Sequence, residues 1–237
     1  MDQKKILVPT TSAESWKAFL ADPDKHWKTG YSAKLTAESW EVAKNIPGEI
    51  HRALNKNEHL KNSEMLFAIP EFKVPLPGGS RPSQNDLLVV ISNELSLSVI
   101  TVEAKVKENF GDSIHTWIHD ASKGKKERLQ YIKQQLGISS NNIDDLRYQL
   151  FHRFASAVIM ARKFHAQNAV MVIQSFAESD SENHYDDFRM FLSTCYGTES
   201  VKEKPIYLAS VDSIKLFALW VYSKPQGNVK LTTILRG

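Results

Sequence analysis

The feature that most constrains this chain is a pair of β-rich runs, Leu87-Leu88-Val89-Val90-Ile91 and Leu97-Ser98-Val99-Ile100-Thr101-Val102, joined by the polar Ser92-Asn93-Glu94 and Ser96. Aliphatic and β-branched runs of this length, separated by a few turn-forming residues, predict an antiparallel hairpin. Placing Asp86 opposite Glu103 centres the turn between Glu94 and Leu95, inside that polar connection. The two carboxylates are then expected on one face of the ladder, with Cβ atoms about 5 Å apart. Lys105, two residues beyond Glu103, is expected on the same face.

Two carboxylates held that close repel unless a positive group lies between them, and a hard divalent cation with oxygen ligands is the usual solution. Mg²⁺ or Mn²⁺ is therefore the expected cofactor. A lysine in the cluster would orient or help deprotonate an attacking water and stabilise charge on a phosphate. The competing reading is an Asp/Glu/Lys salt-bridge patch on an exposed sheet face, which needs no function. Acid-any-Lys also occurs at Glu71-Phe72-Lys73 and Asp2-Gln3-Lys4. Neither has an upstream aspartate that closes a hairpin, and Pro70 and Pro75 argue against a central strand at the first.

Helices are expected at Ser39 to Ala43, at Pro47 to Leu54 and over Asp112 to His119. Another is expected over Glu127 to Leu136, which Gly137 ends. A longer helix fits Ile143 to His165, with Asn141 or Asn142 as cap and Asp144 and Asp145 in its first turn. Its Leu146, Leu150, Phe154, Ala157, Val158 and Ala161 recur at helical spacing and call for a sheet to pack on. Gln149, His152, Arg153 and Ser156 lie beside that face, either as a plain polar margin or as the border of a cleft. Short strands are expected at Met65 to Ile69 and Ala169 to Ile173, followed by a helix near Tyr185 to Thr194 and strands at Ile206 to Ala209 and Ile214 to Tyr222. The order helix, three strands, helix, strand gives an α/β class with a central mixed β-sheet flanked by helices.

Asn85-Asp86, sixteen residues, then Glu103-Ala104-Lys105 resembles the PD-(D/E)XK nuclease superfamily, of restriction-endonuclease-like fold. The surrounding Leu-Pro-Gly-Gly-Ser-Arg-Pro-Ser-Gln-Asn-Asp and Arg-Tyr-Gln-Leu-Phe-His-Arg resemble a bacterial branch of it. The likeness spans roughly Glu49 to Phe176, and Asn85 stands where the motif usually has proline. The resemblance implies a metal-dependent nuclease in which Asp86, Glu103 and the Ala104 carbonyl hold the metal and Lys105 works on the attacking water. It also implies a helical glutamate that helps hold metal, for which Glu49 is the best match by position and Glu41 and Glu71 are rivals. Gln149, from the polar stripe that could border the cleft as polar residues after the third strand do in related nucleases, joins the catalytic set. DNA is the expected substrate, by family analogy. The alternative is a catalytically inactive module of the same fold that binds nucleic acid or a protein partner.

The remaining features set bounds. One domain over residues 1–237 is expected, with a core of about 39–176 and a C-terminal addition of about 177–237. No apolar window reaches spanning length, the first residues lack the apolar run of a signal peptide, and Cys195 is the lone cysteine, so a cytoplasmic protein with no membrane partner is expected. A homodimer would let one site cut each strand of a duplex, and a nicking monomer fits equally. The net charge of +3 is mild, and the most concentrated basic run is Lys123-Gly124-Lys125-Lys126-Glu127-Arg128. Asp112, His115 and His119 have helical spacing suited to a metal but lack the glutamate of a His-Glu-x-x-His motif. Phosphate-binding glycine loops and nucleophile elbows are absent from the sequence.

Overall fold

The computed structural model describes residues 5–120, 122–177 and 184–225. A 3₁₀ segment, Ala13–Phe19, precedes α1 (Pro23–His26), α2 (Ser32–Ala43) and α3 (Gly48–Leu54). Three strands follow: β1 (Glu64–Val74), β2 (Ser83–Ser92) and β3 (Leu97–Lys105). Then come α4 (Ile114–Ile118), α5 (Lys123–Leu136), α6 (Tyr148–Lys163), β4 (Asn168–Ser175), α7 (Tyr185–Tyr196), β5 (Ile206–Val211) and β6 (Ile214–Tyr222). The strands form one six-stranded sheet in the order β1-β2-β3-β4-β6-β5. β1, β2 and β3 are antiparallel neighbours, β4 runs parallel to β3 after the α6 crossover, β6 runs parallel to β4, and β5 is antiparallel to β6. The protein is thus α/β with a mixed sheet between helical layers. The strands of the C-terminal region continue the central sheet.

Period-two alternation sorts the hairpin between the two layers. Leu88, Val90 and Val99 pack with Leu150, Phe151 and Phe154 of α6. Leu87, Val89, Ile91, Ile100 and Val102 pack on the other face with Ile50, Ala53 and Leu54 of α3. β4 is buried at every position, as a central parallel strand covered on both faces should be. Each fully buried large aliphatic or phenyl side chain contributes about 1.5–3 kcal/mol, so these two layers fix which residues share a face.

Several boundaries differ from the sequence reading. α6 begins at Tyr148, not Ile143, and Asp144 and Asp145 lie ahead of it. Backbone N–H groups of Ile114 and His115 donate to the carbonyls of Leu146 and Asp144 at 2.8 and 2.9 Å, so tertiary pairing takes the residues that helix-start preferences would have claimed. α2 begins at Ser32, well before Ser39. β1 runs on through Pro70 to Val74, which the sheet tolerates because β1 is an edge strand. Gly137 does end α5, with φ 65°. No helix among the described residues is long and apolar enough to cross a membrane.

Candidate active site

The hairpin has the expected register: Leu87 pairs with Val102 and Leu88 with Thr101, which sets Asp86 opposite Glu103. Beyond the Leu87–Val102 pair, a side chain takes over from the ladder, as the Ala104 N–H donates to Asp86 Oδ2 at 2.7 Å. The next carbonyl, that of Lys105, turns the opposite way and accepts from the Phe176 N–H at 2.7 Å. Because N–H and C=O of one strand residue point to the same side, the Ala104 carbonyl is also directed towards β2 and Asp86.

Glu103 and Lys105 are both buried, on the face covered by α6. Lys105 Nζ donates to Glu103 Oε1 at 2.9 Å and to Gln149 Oε1 at 3.0 Å, and Gln149 Nε2 donates to the same Glu103 oxygen at 2.7 Å. Arg153 Nε donates to Glu103 Oε2 at 2.5 Å. Gln149 and Arg153 are four residues apart on α6 and so lie on one face of the helix. The helix is held at this height by strand hydroxyls: Thr101 Oγ1 donates to the Arg153 carbonyl and Ser83 Oγ to the His152 carbonyl, both at 3.1 Å.

The two central carboxylates are driven apart in proton affinity. Burial pushes Asp86 well up, and the neighbouring carboxylates of Glu103 and Glu71 push it further. Burial would also raise Glu103, but Arg153 and Lys105 outweigh it and hold that carboxyl below its ordinary range. Glu71, on β1 at φ 53°, is raised to about 7 by burial, against a Gln84 hydrogen bond of 2.5 Å that favours the ionised form. His152 is held neutral, its pKa driven well down by burial and by Arg153, Arg128 and Lys105, with Nδ1 2.8 Å from Ser83 Oγ.

Asp86, Glu103, Ala104, Lys105 and Gln149 are therefore brought together. Glu49 is not. It lies in the first turn of α3, on the opposite layer, 3.9 Å from Arg52 in an i,i+3 pair. Its rival Glu71 is the glutamate that the fold carries towards Asp86. Glu41, the other rival, accepts from Trp16 Nε1 at 2.9 Å and Thr10 Oγ1 at 2.5 Å. Arg153 was visible in sequence only as part of a polar stripe, since nothing local indicates which strand carboxylate it will meet. Asn85 Oδ1 is the one buried side-chain oxygen or nitrogen among the described residues with no hydrogen-bond partner.

A family described as a domain of unknown function, DUF6946, matches residues 9–225. The chain belongs to that family. The DUF6946 match takes in every element from the 3₁₀ segment to β6, the candidate site included. No curated protein and no solved structure matches the chain.

Among the described residues no three His, Cys, Asp or Glu side chains are gathered tightly enough to hold a metal. Mg²⁺ does not need that many, because it keeps several waters and is usually bound through one or two carboxylates plus substrate phosphate oxygens. Among the described residues Asp86 Oδ1 carries no hydrogen bond and Glu103 Oε2 accepts only one, and strand geometry puts the Ala104 carbonyl on the β2 side. These oxygens fit a hard cation with partial protein coordination.

Proposed function

We propose that this DUF6946 protein is a Mg²⁺- or Mn²⁺-dependent nuclease that hydrolyses phosphodiester bonds, with DNA as its substrate, and that its sheet and helices form a restriction-endonuclease-like core. The observation that carries the reading is the convergence of Asp86, Glu103 and Lys105 on one face, with Gln149 bonded to both Glu103 and Lys105. The succession of antiparallel β1, β2 and β3, crossover α6 and parallel β4 supports the core assignment.

Asp86, Glu103 and the Ala104 carbonyl would hold the cation, which supplies Lewis-acid activation of the phosphate and of water. Asp86 takes up its share of this role by losing a proton that burial and its acidic neighbours favour keeping. Gln149 fixes the Lys105 ammonium through its amide oxygen, leaving Lys105 to orient the attacking water and to balance charge that develops on the phosphate. Arg153 holds the second Glu103 oxygen in place. We place this activity in the cytosol, where the half-buried Cys195 thiol, raised to about 12 by desolvation, stays reduced and protonated.

A second reading, a module that binds nucleic acid or a protein partner without cutting, draws on one observation: Lys105 and Arg153 already balance Glu103. Incubation of supercoiled plasmid, single-stranded DNA and RNA with the purified protein in Mg²⁺ or Mn²⁺ separates the two. The nuclease reading expects cleavage that falls about 10²-fold or more in Lys105→Ala while metal binding is retained. Wild type that cuts none of the three substrates, yet binds them as Lys105→Ala does, would return the assignment to the binding module.

A further inference from the structure

Beside Lys105 opens a cleft of about 320 Å³, near the lower end of the roughly 300–1,000 Å³ typical of small-ligand sites. Its walls include Phe110, Trp117 and Tyr148, with Asn109, Gln149, His152 and one acidic residue, Asp112. Trp117 stacks on Tyr148 with ring centroids 3.8 Å apart and planes inclined by 12°. Tyr148 leans on the α6-side core, whereas Trp117 is half-buried and belongs to none of the three apolar clusters. Trp117 therefore rests one ring face on Tyr148, carries the Lys125 ammonium near its ring, and turns the remaining aromatic surface to the cleft.

The platform is also preorganised. α4 is bound back to the segment before α6 by Ile114 N–H to Leu146 O, His115 N–H to Asp144 O and Tyr148 N–H to Asp112 O, at 2.8 to 3.1 Å. Arg147 adds a bond from Nη1 to the Gly111 carbonyl and is itself held by Asp187 at 3.0 Å. Positive charge flanks the rings on two sides. Lys105 Nζ lies 4.9 Å from the Phe110 centroid, and Lys125 Nζ lies 5.6 Å from the Trp117 centroid while donating to the Trp117 carbonyl at 2.8 Å. Asn109 Oδ1 accepts from the Gly111 N–H at 2.9 Å, which directs its amide donors elsewhere.

We propose that this cleft is a subsite for one unpaired nucleobase of a single-stranded nucleic acid, adjacent to the phosphodiester at Asp86 and Glu103. Aromatic surface with flanking cations is the chemistry that takes a base by stacking and the neighbouring backbone by charge, with little regard to sequence. A base inside a duplex has both faces covered and cannot enter without being flipped out of the stack. The proposal rests on the nuclease reading for the adjacency, and it narrows the substrate to single strands or unpaired ends. Unpaired DNA and RNA share this chemistry.

The test uses the full chain and fluorescently labelled oligonucleotides of one sequence: single-stranded DNA, single-stranded RNA and blunt duplex DNA. Anisotropy is read in EDTA and cleavage in Mg²⁺. Single strands are expected to bind at least tenfold more tightly than the duplex, with quenching of tryptophan fluorescence. Trp117→Ala is expected to lose about tenfold or more of that affinity, as for one lost stacking contact, while Trp117→Phe keeps most of it. The DNA and RNA arms decide which strand is taken. Duplex binding equal to or tighter than single-strand binding, or unchanged single-strand binding by Trp117→Ala and Tyr148→Ala, overturns the subsite. Cleavage of duplex with no single-strand preference overturns the subsite and leaves the nuclease standing. Trp117-dependent binding without cleavage does the reverse.

Discussion

Arg153 Nε lies 2.5 Å from Glu103 Oε2, so the buried carboxylate of β3 is clasped from α6 on one oxygen while Lys105 and Gln149 share the other. Asp86, opposite on β2, receives one backbone N–H and no cation. The pair is electrostatically lopsided by construction. One carboxylate is stabilised as the anion, and the other is shifted towards its protonated form by burial and by its acidic neighbours.

Removing Arg153 should therefore be costly. Glu103 is nearly fully buried, and stripping one cation from a buried ion pair costs about 3–5 kcal/mol, at the lower end here because Lys105 remains. Arg153→Ala should lower unfolding free energy by about 3 kcal/mol in urea titrations with an unchanged m value. A loss under about 0.5 kcal/mol would mean that the pair is effectively solvated.

Glu71 gives the protein a pH signature. Its folded pKa of about 7 lies above the ordinary value near 4.5, so between those two limits the native state holds a proton that the unfolded chain has released. Stability should then fall as pH rises through that window, with a slope of at most about 1.4 kcal/mol per pH unit from this group. Asp86, also raised, adds in the same direction. Glu71→Gln should flatten the slope measured by urea midpoint against pH in EDTA, and an unaltered slope would assign it to other groups.

Cation binding should couple to the same carboxyls. An ion held only by the folded state raises Tm by mass action, and Asp86 must lose its proton to take part. Mg²⁺ or Mn²⁺ should raise the Tm of the wild type more at pH 8 than at pH 6, and Asp86→Ala should abolish the response. A wild type and Asp86→Ala that respond alike would place the ion elsewhere.

The hairpin was legible because period-two burial and a polar turn over-determine its register, so Asp86, Glu103 and Lys105 could be put on one face from sequence alone. The α/β class followed from the order of elements. The start of α6 was not legible, because the groups that end up pairing Ile114 and His115 with Leu146 and Asp144 are distant in sequence. Arg153 and Glu71 could be named only as one residue of a polar stripe and as a rival glutamate for a similar reason: charged residues at a helix margin and on an edge strand acquire partners only when the layers close. Glu49 was mistaken for a neighbour of the site because a helix placed by position alone does not reveal which face of the sheet it covers.

The loop that feeds β2 offers a last test of how rigidly Asp86 is delivered. Residues 75–82 are tied to α5 by Arg128, whose Nε donates to the Pro77 carbonyl at 2.8 Å and whose Nη2 donates to Gly79 O at 3.0 Å. Gly78 makes the close approach possible: its φ is +75°, and a Cβ there would sit 2.0 Å from the Gly124 carbonyl oxygen. Gly111 also has a left-handed φ, +69°, but a Cβ there meets nothing within 4 Å. Gly111→Ala should therefore cost only the left-handed backbone penalty, about 1–2 kcal/mol. Gly78→Ala adds a backbone clash that cannot be relieved by a side-chain rotation, so it should destabilise distinctly more and lower Mg²⁺-dependent cleavage by displacing the start of β2. Equal urea midpoints for the two variants would show that the loop yields freely and that Asp86 is positioned by the hairpin alone.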